Sequence, residues 1–105
     1  MFKVYRTKEF EELMGKLLTK EEQKRVDKIE EKIAETGFTG SPLGFNFLRE
    51  KRISGKRVYF LVYEEFEAAL MISLSDKNAQ QETIDKIKEY IPEFRRLIEK
   101  MSKPT

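Results

Sequence analysis

Apolar positions recur along this chain with two different periods, and the switches between them mark the elements. Phe2 to Arg6 reads as a short strand with Phe2 and Val4 on one face. Thr7 then offers a hydroxyl cap, and Phe10, Leu13, Met14, Leu17 and Leu18 follow at helical spacing. The helix is expected to stop near Leu18, because Thr19 and Glu22 form a capping box for the next one. Val26, Ile29 and Ile33 line one side of that second helix, and Gly37 is placed to end it in a left-handed turn. Two helices joined with almost no linker predict an antiparallel αα-hairpin.

After a Gly- and Pro-bearing loop from Gly37 to Gly44, the pattern changes to extended pieces at Phe45–Ile53, Lys56–Glu65 and Ala68–Ser75. Connections of about two residues predict an antiparallel meander. Val58 to Tyr63 is almost continuously apolar, as a central strand covered on both faces requires. In the first piece Phe45, Phe47 and Ile53 agree in phase while Leu48 breaks it, so a bulge near Leu48–Arg49 is expected. From about Asn78 the period is helical again: Ile84, Ile87, Ile91, Phe94, Ile98 and Met101 form a stripe that faces either the core or a second copy of the chain. Pro92 should break this segment after Tyr90–Ile91 and restart it as the first helical residue. The order β-α-α-β-β-β-α-α segregates strands from helices, which defines an α+β fold.

Composition narrows the chemistry. The 105 residues suit one domain, with a core over residues 1–77 and a helical extension over 78–102. There is no Cys and no His, which excludes disulfides, thiolate nucleophiles, imidazole acid–base chemistry and His-ligated metal. No cofactor or metal site is expected. The lack of Cys fits a reducing cytoplasm, and no run is apolar enough to span a membrane or serve as a signal peptide. Twenty-one Lys and Arg against nineteen Asp and Glu leave a net charge of only +2, so binding to a polyanion must rest on local clustering. That cluster exists: Arg49, Lys51, Arg52, Lys56 and Arg57 surround a Ser54-Gly55 turn, with Glu50 as the single acid among them.

The arrangement of a strand, an αα-hairpin and a meander containing LREKRISGKRVYFLVYEE resembles the RelE/ParE toxin superfamily over roughly residues 2–77. SGKRVYFLVYE is similar to the family's central strand, and ISLSDK to its last core strand. The resemblance implies the toxin of a type II toxin–antitoxin pair, neutralised by a RelB-like antitoxin. RelE-like members cleave mRNA on the ribosome without metal and so inhibit translation, whereas ParE-like members poison DNA gyrase. A catalytically inactive binding module of the same fold is the third possibility. In the RelE-like reading, Arg57 takes the family's phosphate-stabilising position, Lys51, with Arg49 or Arg52, that of the basic residues of the preceding strand, and Lys77 that of a basic residue after the last core strand, with Lys51, Arg57 and Lys77 as the catalytic candidates. Arg49, Arg52 and Lys56 are the RNA-binding candidates. Many RelE-like enzymes end in a Tyr or His near the site; this chain ends in a helical segment whose only tyrosine is Tyr90, and it shows no evident general base.

Read without the family, the chemistry is coherent. Metal-free RNA cleavage needs activation of the 2′-hydroxyl, charge stabilisation at the phosphate and protonation of the leaving oxygen. Arg supplies a planar fork for phosphate oxygens, and Lys among other cations has its pKa lowered. Strand alternation puts Arg49 with Lys51 on one face, and the turn brings Arg52 opposite Arg57. The same basic hairpin would also serve as a solvated edge that resists aggregation. Tyr59 and Tyr63 read as core or antitoxin-facing aromatics, and Gln80, Gln81 and Glu82 as a polar first helical turn.

Overall fold

The computed structural model describes residues 1–102, and its secondary structure follows the two periods closely. Strand β1 (Lys3–Arg6) leads into α1 (Lys8–Leu17), capped by the Thr7 hydroxyl, which accepts from the Phe10 amide. Helix α2 (Lys20–Thr36) opens with the reciprocal Thr19–Glu22 capping box. Gly37 closes α2 at φ 74°, ψ −77°, a positive-φ conformation that is not the left-handed helical one expected. The loop that follows contains a two-residue strand, β2 (Ser41–Pro42), which the sequence pattern did not reveal.

The meander consists of β3 (Leu48–Ile53), β4 (Lys56–Tyr63) and β5 (Ala68–Asp76). Ser54 and Gly55 both take positive φ, 45° and 78°, so the β3–β4 connection is the two-residue turn whose twist matches its strands. The β4–β5 connection is longer than two residues, because Glu64–Phe66 forms a single 3₁₀ turn and Glu67 follows at φ 47°. Phe45–Phe47 is not strand: β3 begins at Leu48, and that start, rather than a bulge, explains the broken phase. The irregularity lies instead between β4 and β5, where Tyr59 pairs with Ser73 but Phe60 with Met71. Helices α3 (Gln80–Glu89) and α4 (Ile91–Ser102) follow β5, with Pro92 in the first turn of α4.

The sheet order is β1-β5-β4-β3-β2, with β1 parallel to β5 and every other pairing antiparallel. Each face of the sheet carries its own core. Ile53, Val58, Phe60, Val62, Ala69, Met71 and Leu74 pack against Phe10, Met14, Leu18, Val26, Ile29 and Ile33 of the αα-hairpin. Leu48, Tyr59, Leu61, Tyr63, Ala68, Leu70 and Ile72 pack against Ile84, Ile87 and Ile98 of the C-terminal helices. Burial on both sides is why β4 lacks alternation. It is also why the C-terminal stripe turns inward, leaving Leu97 and Met101 partly exposed at its rim. Two residues spaced by one along β4 therefore share a face, and this alternation sorts the cations of the hairpin.

Candidate nucleic-acid site at the basic hairpin

The β3–β4 register sets Arg52 opposite Arg57, Glu50 opposite Tyr59 and Lys51 opposite Val58. Arg52, Glu50, Arg57 and Tyr59 thus share the face covered by α3 and α4, while Arg49 and Lys51 lie on the αα-hairpin face. The six candidate cations are divided between two surfaces.

Arg57 is buried and faces Glu50, which is equally buried: Arg57 Nε lies 3.3 Å from Glu50 Oε1, both side chains 7% exposed. The pair is in electrostatic contact but not aligned as a hydrogen bond, so Arg57 Nε has no hydrogen-bond partner among the described residues. Gln80, the first residue of α3, donates from Nε2 to Glu50 Oε2 at 2.9 Å. Arg52 approaches Glu50 Oε1 at 3.9 Å with its own side chain 74% exposed. The Tyr59 and Ser75 hydroxyls share a hydrogen bond at 2.8 Å behind Arg57, whose strand partner is Ser75. Burial, opposed by that bond, raises the Tyr59 pKa and keeps it a neutral phenol. Asp76 accepts from the Ala79 amide at 2.9 Å and so fixes where α3 begins above this cluster.

The other candidates have separate surroundings. Arg49 is buried, and its guanidinium donates to the carbonyls of Thr39, Gly40 and Asn46 and to Asn46 Oδ1 at 2.9–3.1 Å, beneath the ring of Phe38. Those bonds hold the 38–47 loop on the sheet, which leaves Arg49 little to offer a phosphate. Lys56 donates to Glu22 Oε1 at 2.9 Å, and Arg25 donates to Ser54 Oγ at 2.7 Å, so the hairpin tip is tied to α2. The Thr19 amide and Lys56 together hold the Glu22 carboxyl below its usual range. Lys51 and Lys77 are exposed. Lys77 follows Asp76, the strand partner of Lys56, and so stands at the same end of the sheet.

Two members of the cluster, Glu50 and Gln80, are not evident from composition. Glu50 was legible only as the lone acid among cations, although its spacing of two from Arg52 already put it on Arg57's face. Gln80 lies thirty positions from Glu50, and local pattern carries no signal for such a contact. Chemically, the cluster can present one exposed cation, one buried cation and a carboxylate able to accept a proton. Among the described residues no group of three or more acidic side chains comes together to hold a metal, and no helix is long and apolar enough to cross a membrane.

No protein-family model matches the chain, and no curated protein matches it in sequence. Solved structures do match. A substituted E. coli RelE toxin in complex with an antitoxin RelBc peptide superposes with a TM-score of 0.64 at 13% identity, covering 78% of this chain and 93% of that one. The isolated E. coli RelE toxin gives the same TM-score at 14% identity, covering 83% and 99%. Strand, αα-hairpin and meander therefore assemble here as they do in those toxins: this chain has a RelE-like fold.

Proposed function

We propose that the chain is the toxin of a type II toxin–antitoxin pair and acts as a RelE-like, ribosome-dependent mRNA endonuclease. The observation that carries this reading is the buried Glu50–Arg57 contact with Arg52 at its rim. A buried ion pair contributes little net stability, since desolvation offsets the Coulomb attraction. Buried charges set against a specific charged partner concentrate at functional sites. In the proposed reaction Glu50 takes the proton of the 2′-hydroxyl, and the freed oxygen attacks the adjacent phosphorus. The 5′-oxygen leaves and takes a proton from Lys77, giving a 2′,3′-cyclic phosphate and a 5′-hydroxyl. Arg57 and Arg52 hold the phosphate oxygens as charge builds on them. Lys51, on the other face of β3, adds positive potential without contacting the scissile group. Glu50 thereby fills the role of general base. The antitoxin peptide bound to the RelE neighbour supports an antitoxin partner for this chain.

The burial of Arg57 beneath Glu50 and Gln80 favours a second reading, in which the fold binds a target, such as DNA gyrase, without cleaving RNA. Mapping mRNA 3′ ends in a translation extract separates the two. Wild type should cleave, and Arg57→Lys, checked for folding by circular dichroism, should cleave about a hundredfold more slowly, the scale of losing one preorganised donor. Equal cleavage by Arg57→Lys removes Arg57 from the reaction. No cleavage by wild type removes the nuclease reading, and inhibition of gyrase supercoiling would then support the alternative.

A further inference from the structure

The loop before β3 carries an aromatic that the core does not enclose. Phe45 is 43% exposed, yet its ring lies flat against Phe47, with centroids 5.0 Å and planes 20° apart. Phe47 in turn stacks on Tyr63 at 6.0 Å and 21°. The three rings form a column that runs from the buried Tyr63 of β4 out to the surface. Its inner end meets Phe66 and the Arg95 guanidinium, which stands 5.8 Å from the Tyr63 ring centre. Its outer end is Phe45. A lone apolar residue on a surface is ordinary, but the exposed end of a continuous stack is a shape that receives another planar ring.

The backbone anchors this column residue by residue. The Leu48 amide donates to the Phe45 carbonyl at 3.2 Å and the Val62 amide to the Phe47 carbonyl at 2.9 Å. Between them, the Arg49 guanidinium holds both the carbonyl and the side-chain oxygen of Asn46. Lys88, near the end of α3, brings Nζ to 6.0 Å from the Phe45 ring centre. Gly44 leaves room for that ammonium, since a Cβ there would stand 3.1 Å from it. Lys88 is exposed and has no ion pair among the described residues. Phe47 packs into the core on Arg57's side of the sheet, and α3 links the two places. Its first residue, Gln80, holds Glu50, and eight residues later Lys88 reaches Phe45, roughly 12 Å along the helix at 1.5 Å per residue. A short run of extended single strand covers that distance.

We propose that Phe45 is a stacking platform for an unpaired base of single-stranded RNA, with Lys88 on the neighbouring phosphate. The choice of RNA as the occupant rests on the endonuclease reading. The base continues the ring column from its open end, and the ammonium beside the ring neutralises backbone charge. Every base has a face that stacks, so the platform holds the strand in place beside the Glu50–Arg57 cluster without selecting its sequence. Phe45 and Lys88 are positioning residues: neither touches the scissile group.

The test uses the full chain and a 2′-O-methylated RNA of about six nucleotides, a usual length for a single-strand site, whose blocked nucleophile prevents cleavage. An abasic oligomer of the same length is the comparison. Fluorescence anisotropy gives affinities, and NMR spectra locate the binding. Wild type should bind the RNA more tightly than the abasic oligomer, with shifts centred on Phe45 and Lys88. Phe45→Leu, checked for folding by circular dichroism, should weaken RNA binding about tenfold and leave the abasic oligomer unchanged, whereas Phe45→Trp should bind as wild type does. Lys88→Gln should weaken both ligands and lower the salt slope by about one. Equal affinity of wild type for the two oligomers overturns the inference, as does full RNA binding by Phe45→Leu or no RNA binding at millimolar concentration. Cleavage of mRNA in a translation extract is read separately. A wild type that binds through Phe45 but leaves mRNA intact keeps the platform and loses the endonuclease reading. If wild type cleaves and Phe45→Leu binds and cleaves equally well, the platform alone is lost.

Discussion

The contact between Glu50 and Arg57 makes a quantitative prediction about stability that needs no assumption about function. Both side chains are 7% exposed, so neutralising one leaves the other as a buried, unpaired charge. Breaking such a pair costs about 3 kcal/mol or more, whereas removing both charges with side chains of similar volume is close to neutral. Glu50→Gln keeps an acceptor for Gln80 yet strands the Arg57 cation, and Arg57→Met strands the Glu50 carboxylate. Each single variant should therefore lose about 3 kcal/mol, a fall in Tm of roughly 12 °C for a domain of this size. The double variant should lose far less than the sum, giving a coupling of about 2 kcal/mol or more. Arg52→Ala is the internal control: its guanidinium is 74% exposed and 3.9 Å from Glu50, so its loss should cost about 0.5 kcal/mol at most. Urea unfolding followed by circular dichroism measures all four. Strictly additive effects, with coupling below about 0.5 kcal/mol, would show that water or other groups solvate the two charges and that the burial argument is wrong.

Other expectations follow from neighbouring details. The Tyr63 hydroxyl is buried without a hydrogen-bond partner among the described residues, so Tyr63→Phe should stabilise the fold by about 1 kcal/mol. Burial pushes the Tyr63 pKa up to about 12, so the unfolded chain releases this proton near its ordinary value of 10 while the native chain retains it. Stability from this group is therefore complete below pH 10 and falls as pH rises towards 12; Tm measured at pH 9 and pH 11 should drop less in Tyr63→Phe than in wild type. Arg49→Ala should cost about 3 kcal/mol, because three carbonyls and one amide oxygen lose a shared donor, and hydrogen exchange should show the 38–47 loop losing protection first. Its RNA affinity should keep the wild-type salt slope; a shallower slope would mean that Arg49 contacts phosphate after all. Thr19→Ala should cost about 1 kcal/mol by opening the capping box, read from thermal unfolding at neutral pH.

What this sequence determines by itself is what short-range physics controls. The Thr7 and Thr19 caps, the stripes from Phe10 to Leu18 and from Val26 to Ile33, and the Ser54-Gly55 turn depend on neighbours within about four residues, and each stands where the pattern predicts except Leu17, which the helix turns outward to solvent. The unbroken apolar run of β4 likewise announced that something would cover both faces. The same alternation already paired Arg52 with Arg57 and separated both from Lys51. Tertiary structure decided the rest, because the deciding contacts join distant residues. The parallel pairing of β1 with β5 sets Lys3 against Ala68 and Arg6 against Met71, and nothing local in either strand encodes that. Arg49 looked like its neighbours in the basic cluster, yet the oxygens of Thr39, Gly40 and Asn46 in the preceding loop claim it. The phase break at Leu48 was real, but only the folded sheet shows it as a strand start, with the irregularity displaced to the β4–β5 ladder. Glu50 illustrates the difference most plainly: local charge made it an exception among cations, and only the approach of Arg57 from the next strand and Gln80 from α3 made it the centre of a buried cluster.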